Sequence, residues 1–139
     1  MKALSWKALV ALLGTAAILG ACSIGMALAA TAPAQKAIVD EYGNLRLRIV
    51  ESSYTPTAAD PNFDSGWHIH PGPAIVQVQQ GSFQITQGSC TPKTVNAGDT
   101  FIEIPYVPVR AVATGSIVWT TTLLGKYEDK LLTPVASPC

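Results

Sequence analysis

Hydrophobic and polar positions alternate with a period of two through most of the chain beyond residue 45. Leu45-Arg46-Leu47-Arg48-Ile49-Val50 sets leucines and isoleucine on one face and arginines on the other, the pattern of a half-buried strand with its aliphatic side inward. Ala74 to Gln79 alternates again, Gly81-Ser82 turns the chain, and Phe83-Gln84-Ile85-Thr86 reads as the returning strand of a hairpin. Asn96-Ala97-Gly98-Asp99 is a further turn. Thr100 to Ile104, Val109 to Ala113 and Ile117 to Leu124 complete the series, each bounded by Gly, Pro or small polar residues and rich in β-branched or aromatic side chains. Ser52 through Gly66 holds two prolines and three Asp or Asn residues, so it is expected to be a loop. No stretch shows the period of an amphipathic helix. Many short strands with regular turns predict an all-β sandwich or barrel.

The first thirty residues follow a different rule. Lys2 and Lys7 precede an almost uninterrupted apolar run from Ala8 to Gly20, and Ala27-Leu28-Ala29 is an A-x-A site at which a signal peptidase could cut. Residues 1–29 are therefore expected to be a cleaved signal peptide, 30–44 an extended leader into the fold, and 45–139 the domain. The reading places the protein outside the cytosol, secreted or periplasmic, with no membrane span. Leu19-Gly20-Ala21-Cys22 resembles the lipobox of bacterial lipoproteins, so the alternative is a chain anchored by lipid on Cys22. The residues after Cys22 stay apolar, which favours plain secretion.

Removing the signal changes the charge balance. Nine basic residues fall to seven without Lys2 and Lys7, against nine acidic ones, for a net charge near −2. No basic cluster marks the surface, so nucleic acid is not expected as a partner. Cys90 and Cys139 remain, and an even pair in an exported chain predicts a disulfide between them. Neither has a neighbouring cysteine or histidine that would suggest redox or nucleophilic chemistry. Nucleophile motifs and glycine-rich phosphate loops are likewise absent.

The chemistry concentrates in Gly66-Trp67-His68-Ile69-His70-Pro71-Gly72-Pro73, which holds both histidines of the protein. Two apart on an extended segment, the imidazoles point to one face with Cα atoms about 6 to 7 Å apart, so both can reach one ion. Zinc, iron, manganese, nickel or copper would accept such nitrogens. Trp67, Phe101 and Tyr106 are candidates to line an apolar mouth beside them.

His68-Ile69-His70, the hydrophobic strand ending at Gly81, and Gly98-Asp99 with its following strand resemble the cupins, over roughly Leu45 to Leu124. The resemblance implies a cupin-like jelly-roll barrel, the double-stranded β-helix. It also implies one divalent transition metal ion as cofactor, a small molecule in the barrel, and a homodimer as one arrangement. His68, His70 and Gly81 fit the family's first motif, and Gly98 starts the second. That first motif's glutamate would fall at Ala74. The proline, glycine, histidine and asparagine of the second would fall at Ile104, Tyr106, Val109 and Ala113. Two of four family ligands are thus missing. Glu103, in the otherwise apolar Phe101-Ile102-Glu103-Ile104, is the best substitute. Its competing reading faces water or pairs with Arg110, and the expectation here is the latter, with Glu103 out of reach of the histidines and Val109 opposite them. Gln77 and Gln79 are expected to be turned away by strand parity.

The sequence accordingly predicts a small-ligand or weak metal-binding module with a degenerate site at His68 and His70. A metal-dependent enzyme of dioxygenase or isomerase type, with Glu103 as a non-standard third ligand, is the alternative. A third reading is a non-catalytic interaction module using the sheet surface or the Ser52 to Gly66 loop.

Overall fold

The computed structural model describes residues 33–139. The expected signal peptide, its Ala27-Leu28-Ala29 cleavage site and the Cys22 lipobox lie outside the described residues. Among the described residues eleven strands run β1 Ala34–Tyr42, β2 Leu45–Tyr54, β3 Phe63–Asp64, β4 His68–Ile69, β5 Ala74–Gln80, β6 Ser82–Gln87, β7 Lys93–Asn96, β8 Thr100–Glu103, β9 Val109–Ala113, β10 Ile117–Lys126 and β11 Thr133–Pro134. One sheet has the order β1-β2-β10-β5-β8. The other runs β11-β4-β9-β6-β7, with β3 paired to β9. Every strand pair is antiparallel and no helix occurs among the described residues, the all-β outcome that the period-two pattern predicts.

The inner faces close on Tyr54, Val76, Val78, Phe83, Ile85, Val109, Ile117 and Trp119. Alternation explains who points in: β5 buries Ala74, Val76 and Val78 and leaves Ile75, Gln77 and Gln79 outside, while β9 buries Val109, Ala111 and Ala113. Phe63 joins Phe83 and Trp119 with ring centroids 5.8 and 5.0 Å away, in tilted contacts that aromatic quadrupoles favour. The passage from β5 in one sheet to β6 in the other turns at Gly81. Its φ is +80°, and a Cβ there would sit 2.4 Å from the Ser116 carbonyl oxygen, so only glycine fits.

Three sequence expectations change. Residues 30–44, read as a leader, contribute β1, a nine-residue edge strand zipped along β2. Every β1 residue is exposed, so no hydrophobic alternation announced it. The expected loop from Ser52 to Gly66 contains the end of β2 and all of β3. Most consequentially, β2 is turned over: Arg46 and Arg48 share the inner face with Val50, Ser52 and Tyr54, and Leu45 and Leu47 are exposed. The outer face of this sheet is unusually apolar, with Ile38, Ile49, Ile75 and Ile102 in rows set by the strand pairing. Alternation therefore gave the period of β2 and misled about its inner side.

Cys90 and Cys139 are joined as a disulfide, with Cα atoms 5.6 Å apart, which ties the segment after β11 to the loop after β6. That segment also donates from the Val135 N–H to the Trp67 carbonyl at 3.0 Å, and β11 pairs with β4. It is thereby held against the histidine strand.

Candidate metal centre

His68 and His70 project from β4 and its end onto the inner face, 4% and 5% exposed. Their rings meet edge-on, centroids 4.9 Å apart and planes at 85°. His68 Nδ1 donates to the Gly66 carbonyl at 2.9 Å, and His70 Nδ1 donates to the carbonyl of Leu131 in the C-terminal segment. A carbonyl oxygen can only accept, so each Nδ1 carries a proton and each Nε2 is the nitrogen left to face the site. The backbone at His70 is fixed as well, because its carbonyl accepts the Tyr106 N–H at 2.9 Å from the turn between β8 and β9.

That turn follows Glu103, and here the structure overturns the expectation. Glu103 neither faces water nor pairs with Arg110. Its Oε2 lies 2.7 Å from His70 Nε2 and 4.0 Å from His68 Nε2, with the side chain buried. Arg110 is held instead by Asp64, Nε to Oδ1 at 2.9 Å. Hydrogen bonds from Arg110, which contribute most, and from the Gly66 N–H, together with Arg110's charge, hold the Asp64 carboxyl below its usual range against the opposing effect of burial.

The reason Glu103 reaches the histidines is register. β8 pairs with β5 so that Glu103 stands directly opposite Ala74, the position where the motif's glutamate would fall. Opposed residues on one face have Cβ atoms about 5 Å apart, so a carboxylate displaced to the next strand can reach the same region. Ala74, fully buried with only a methyl group, leaves the room. Val109, at the position of the second motif's histidine, is paired with His68 and donates nothing.

One nitrogen from each histidine and one oxygen of Glu103 lie within 4.8 Å of one another. With both Nδ1 protons committed to carbonyls, the three inward atoms are all acceptors, so the 2.7 Å contact needs a positive charge between its partners. A proton on His70 is one such charge. Burial works against it, but the hydrogen bond and charge of Glu103, with the Leu131 carbonyl, raise the His70 pKa above its ordinary value. The other is a metal ion, and two imidazoles with one carboxylate are a donor set that divalent transition metals accept with coordination positions to spare.

The three residues border a cavity of about 260 Å³, walled mainly by Val50, Val76, Phe83, Phe101 and Trp119. Of the three aromatics expected to line it, only Phe101 does. Trp67 precedes His68 on the extended segment, so parity points it to the opposite face. Tyr106 occupies the left-handed region at φ 60° in its turn and is 69% exposed, serving the site through its backbone alone. Two residues at the site had no role in the sequence reading: Arg48, which lines the same cavity, and Leu131, which orients His70. A backbone carbonyl leaves no trace in sequence, and Arg48 was assigned to the outer face.

No family model and no curated protein matches the sequence. Solved structures do. A Klebsiella pneumoniae protein with a double-stranded β-helix domain aligns at TM-score 0.56 and 17% identity, over 74% of this chain and 79% of its own. A cupin superfamily protein of Desulfitobacterium hafniense aligns at 0.52 and 10%, over 67% and 77%. The DMSP lyase DddQ of Ruegeria pomeroyi aligns at 0.56 and 14%, over 74% of this chain and 51% of its own. Together with the two antiparallel sheets and their crossing at Gly81, these likenesses give the chain the double-stranded β-helix fold of the cupins.

Proposed function

We propose that the protein holds one divalent transition metal ion through His68 Nε2, His70 Nε2 and Glu103, and acts as a metal-dependent enzyme on a small molecule bound in the adjoining cavity. The observation that carries this reading is the convergence of three buried acceptors whose histidine tautomers are fixed by backbone carbonyls. It favours the metal-dependent alternative over a degenerate module, because the ligand absent at Ala74 is replaced from the neighbouring strand. Gly66 and Leu131 act as orienting partners, keeping both Nε2 lone pairs inward. When bound, a divalent ion supplies Lewis acidity toward an oxygen of the small molecule. The apolar walls shape the space beside it, and the Glu103 carboxyl lies 2.7 Å from His70 Nε2.

The disulfide fits an oxidising compartment. Among the described residues no helix is long and apolar enough to cross a membrane. In this proposal residues 1–29 direct export and metal is acquired outside the cytosol.

Elemental analysis of purified protein after dialysis tests the site. The expected result is a single equivalent of a divalent ion, lost in His68→Ala and bound more weakly in Glu103→Gln. The weakening should exceed the roughly 10–100-fold typical of losing a ligand's supporting hydrogen bond. Wild-type protein that takes up no zinc, iron or manganese, or Glu103→Gln that binds as tightly as wild type, would overturn it. The N-terminal residue of the same preparation distinguishes cleavage before Ala30 from processing at Cys22.

A further inference from the structure

Arg46 and Arg48 lie two residues apart on the same face of β2, yet their surroundings differ. Arg46 is neutralised by Glu41, Nε to Oε1 at 3.0 Å, and its guanidinium stacks 4.3 Å above the Tyr127 ring. Arg48 has no carboxylate in ion-pair range among the described residues. Its Nε is buried without a hydrogen-bond partner, the sole buried side-chain polar atom so placed among them. A desolvated donor on a permanent cation is costly to leave unmade, so its retention calls for an anion that arrives from outside the chain.

The strand pairing says where that anion would lie. Arg48 pairs with Leu123, Leu123 with Ala74, and Ala74 with Glu103, so the arginine and the metal-site carboxylate lie three strands apart on one transverse row of the inner face. Three strand spacings separate them, about 14 Å followed along the curved sheet. Both border the same cavity, and Leu123, which stands between them in the row, lines it too. The volume, about 260 Å³, lies below the range usual for drug-sized ligands.

We propose that Arg48 recognises the carboxylate of a small organic acid whose apolar body fills the cavity and whose far end approaches His68, His70 and Glu103. The planar guanidinium offers two parallel donors to a carboxylate, Nε–H among them, a geometry that a point charge cannot match. The placing of the ligand's far end rests on the metal reading above; the recognition by Arg48 does not.

Nuclear magnetic resonance reads the buried Nε–H directly, its signal being identified as the one missing from Arg48→Lys. Benzoate is added to the metal-free protein and to the zinc-loaded protein, with benzamide as the neutral isostere. Saturable movement of the Arg48 Nε–H with benzoate is expected, with benzamide weaker by at least about tenfold, the loss of a charge-assisted pair. Arg48→Met should lose benzoate affinity by a similar factor while keeping its zinc stoichiometry. An Nε–H signal that ignores benzoate, or responds equally to benzamide, overturns the proposal, and so does an Arg48→Met protein that binds benzoate unchanged. The wild-type signal, assigned through Arg48→Lys, decides the matter even if Arg48→Met does not fold. If wild type takes up no zinc, the metal reading fails while the metal-free titration still judges Arg48.

Discussion

Exchanging the residues at positions 74 and 103 tests whether Glu103 supplies the carboxylate that Ala74 lacks. Glu103→Ala leaves the buried His70 Nε2 without its 2.7 Å partner, a loss of about 1–3 kcal/mol for an unsatisfied buried group. Ala74→Glu places a second carboxylate at a fully buried position opposite the first. At about 5 Å and an effective dielectric constant near 20, their repulsion is about 3 kcal/mol. The double variant Ala74→Glu/Glu103→Ala has a single carboxylate again, removing the repulsion and returning a partner to the histidines. The coupling energy of the cycle is therefore expected to be about 4–6 kcal/mol, well above the roughly 0.5 kcal/mol by which independent sites depart from additivity. Denaturant unfolding of all four proteins in a chelating buffer measures it. Repeating the series with zinc at a hundredfold excess over its dissociation constant should add about 2.7 kcal/mol to wild type and to the double variant, with little gain in Glu103→Ala. Additive single effects, with no zinc response in the double variant, would refute the argument that the two positions serve one point in space.

Opening the Cys90–Cys139 bridge, by reduction or by Cys139→Ser, should lower unfolding stability by about 4 kcal/mol for a separation of 49 residues, read as a shift in denaturant midpoint. Asp64→Asn should cost less than about 1 kcal/mol at neutral pH, because the Asp64–Arg110 pair is well exposed to solvent. Since the folded Asp64 pKa is lowered, its contribution is complete above the ordinary carboxylate range and disappears as pH falls through the folded value. Wild-type and variant midpoints should therefore converge in acid and separate toward neutrality, and a gap that widens in acid would contradict the pairing.

Much of the barrel was readable because burial writes a period of two into sequence. β5 and β9 show it in their buried valines and alanines, and the glycine that turns β5 into β6 marks where the chain changes sheets. Period alone does not name the inner face. On β2 hydrophobicity points the leucines inward, whereas the structure has the arginines inside, Arg48 lining the cavity, and the leucines out. β1 carries no signal because none of its residues is buried. Glu103 was legible as a substitute ligand, but its reach was not: its proximity to the histidines depends on the pairing of β5 with β8, and a motif written along one strand cannot record a ligand transferred to the next. His68 and His70 were legible because a single extended segment presents both.

The C-terminal segment gives the site an order of assembly. Leu131 supplies the carbonyl that fixes the His70 tautomer, and β11 covers β4, yet these residues follow all three proposed ligands in the chain. Synthesis delivers His68, His70 and Glu103 before the group that orients one of them exists in folded form. The ligand set is thus finished only when the final strand docks, and the Cys90–Cys139 bond records that event. For the proposed metal site, capture would then be a late step that follows docking of the final strand.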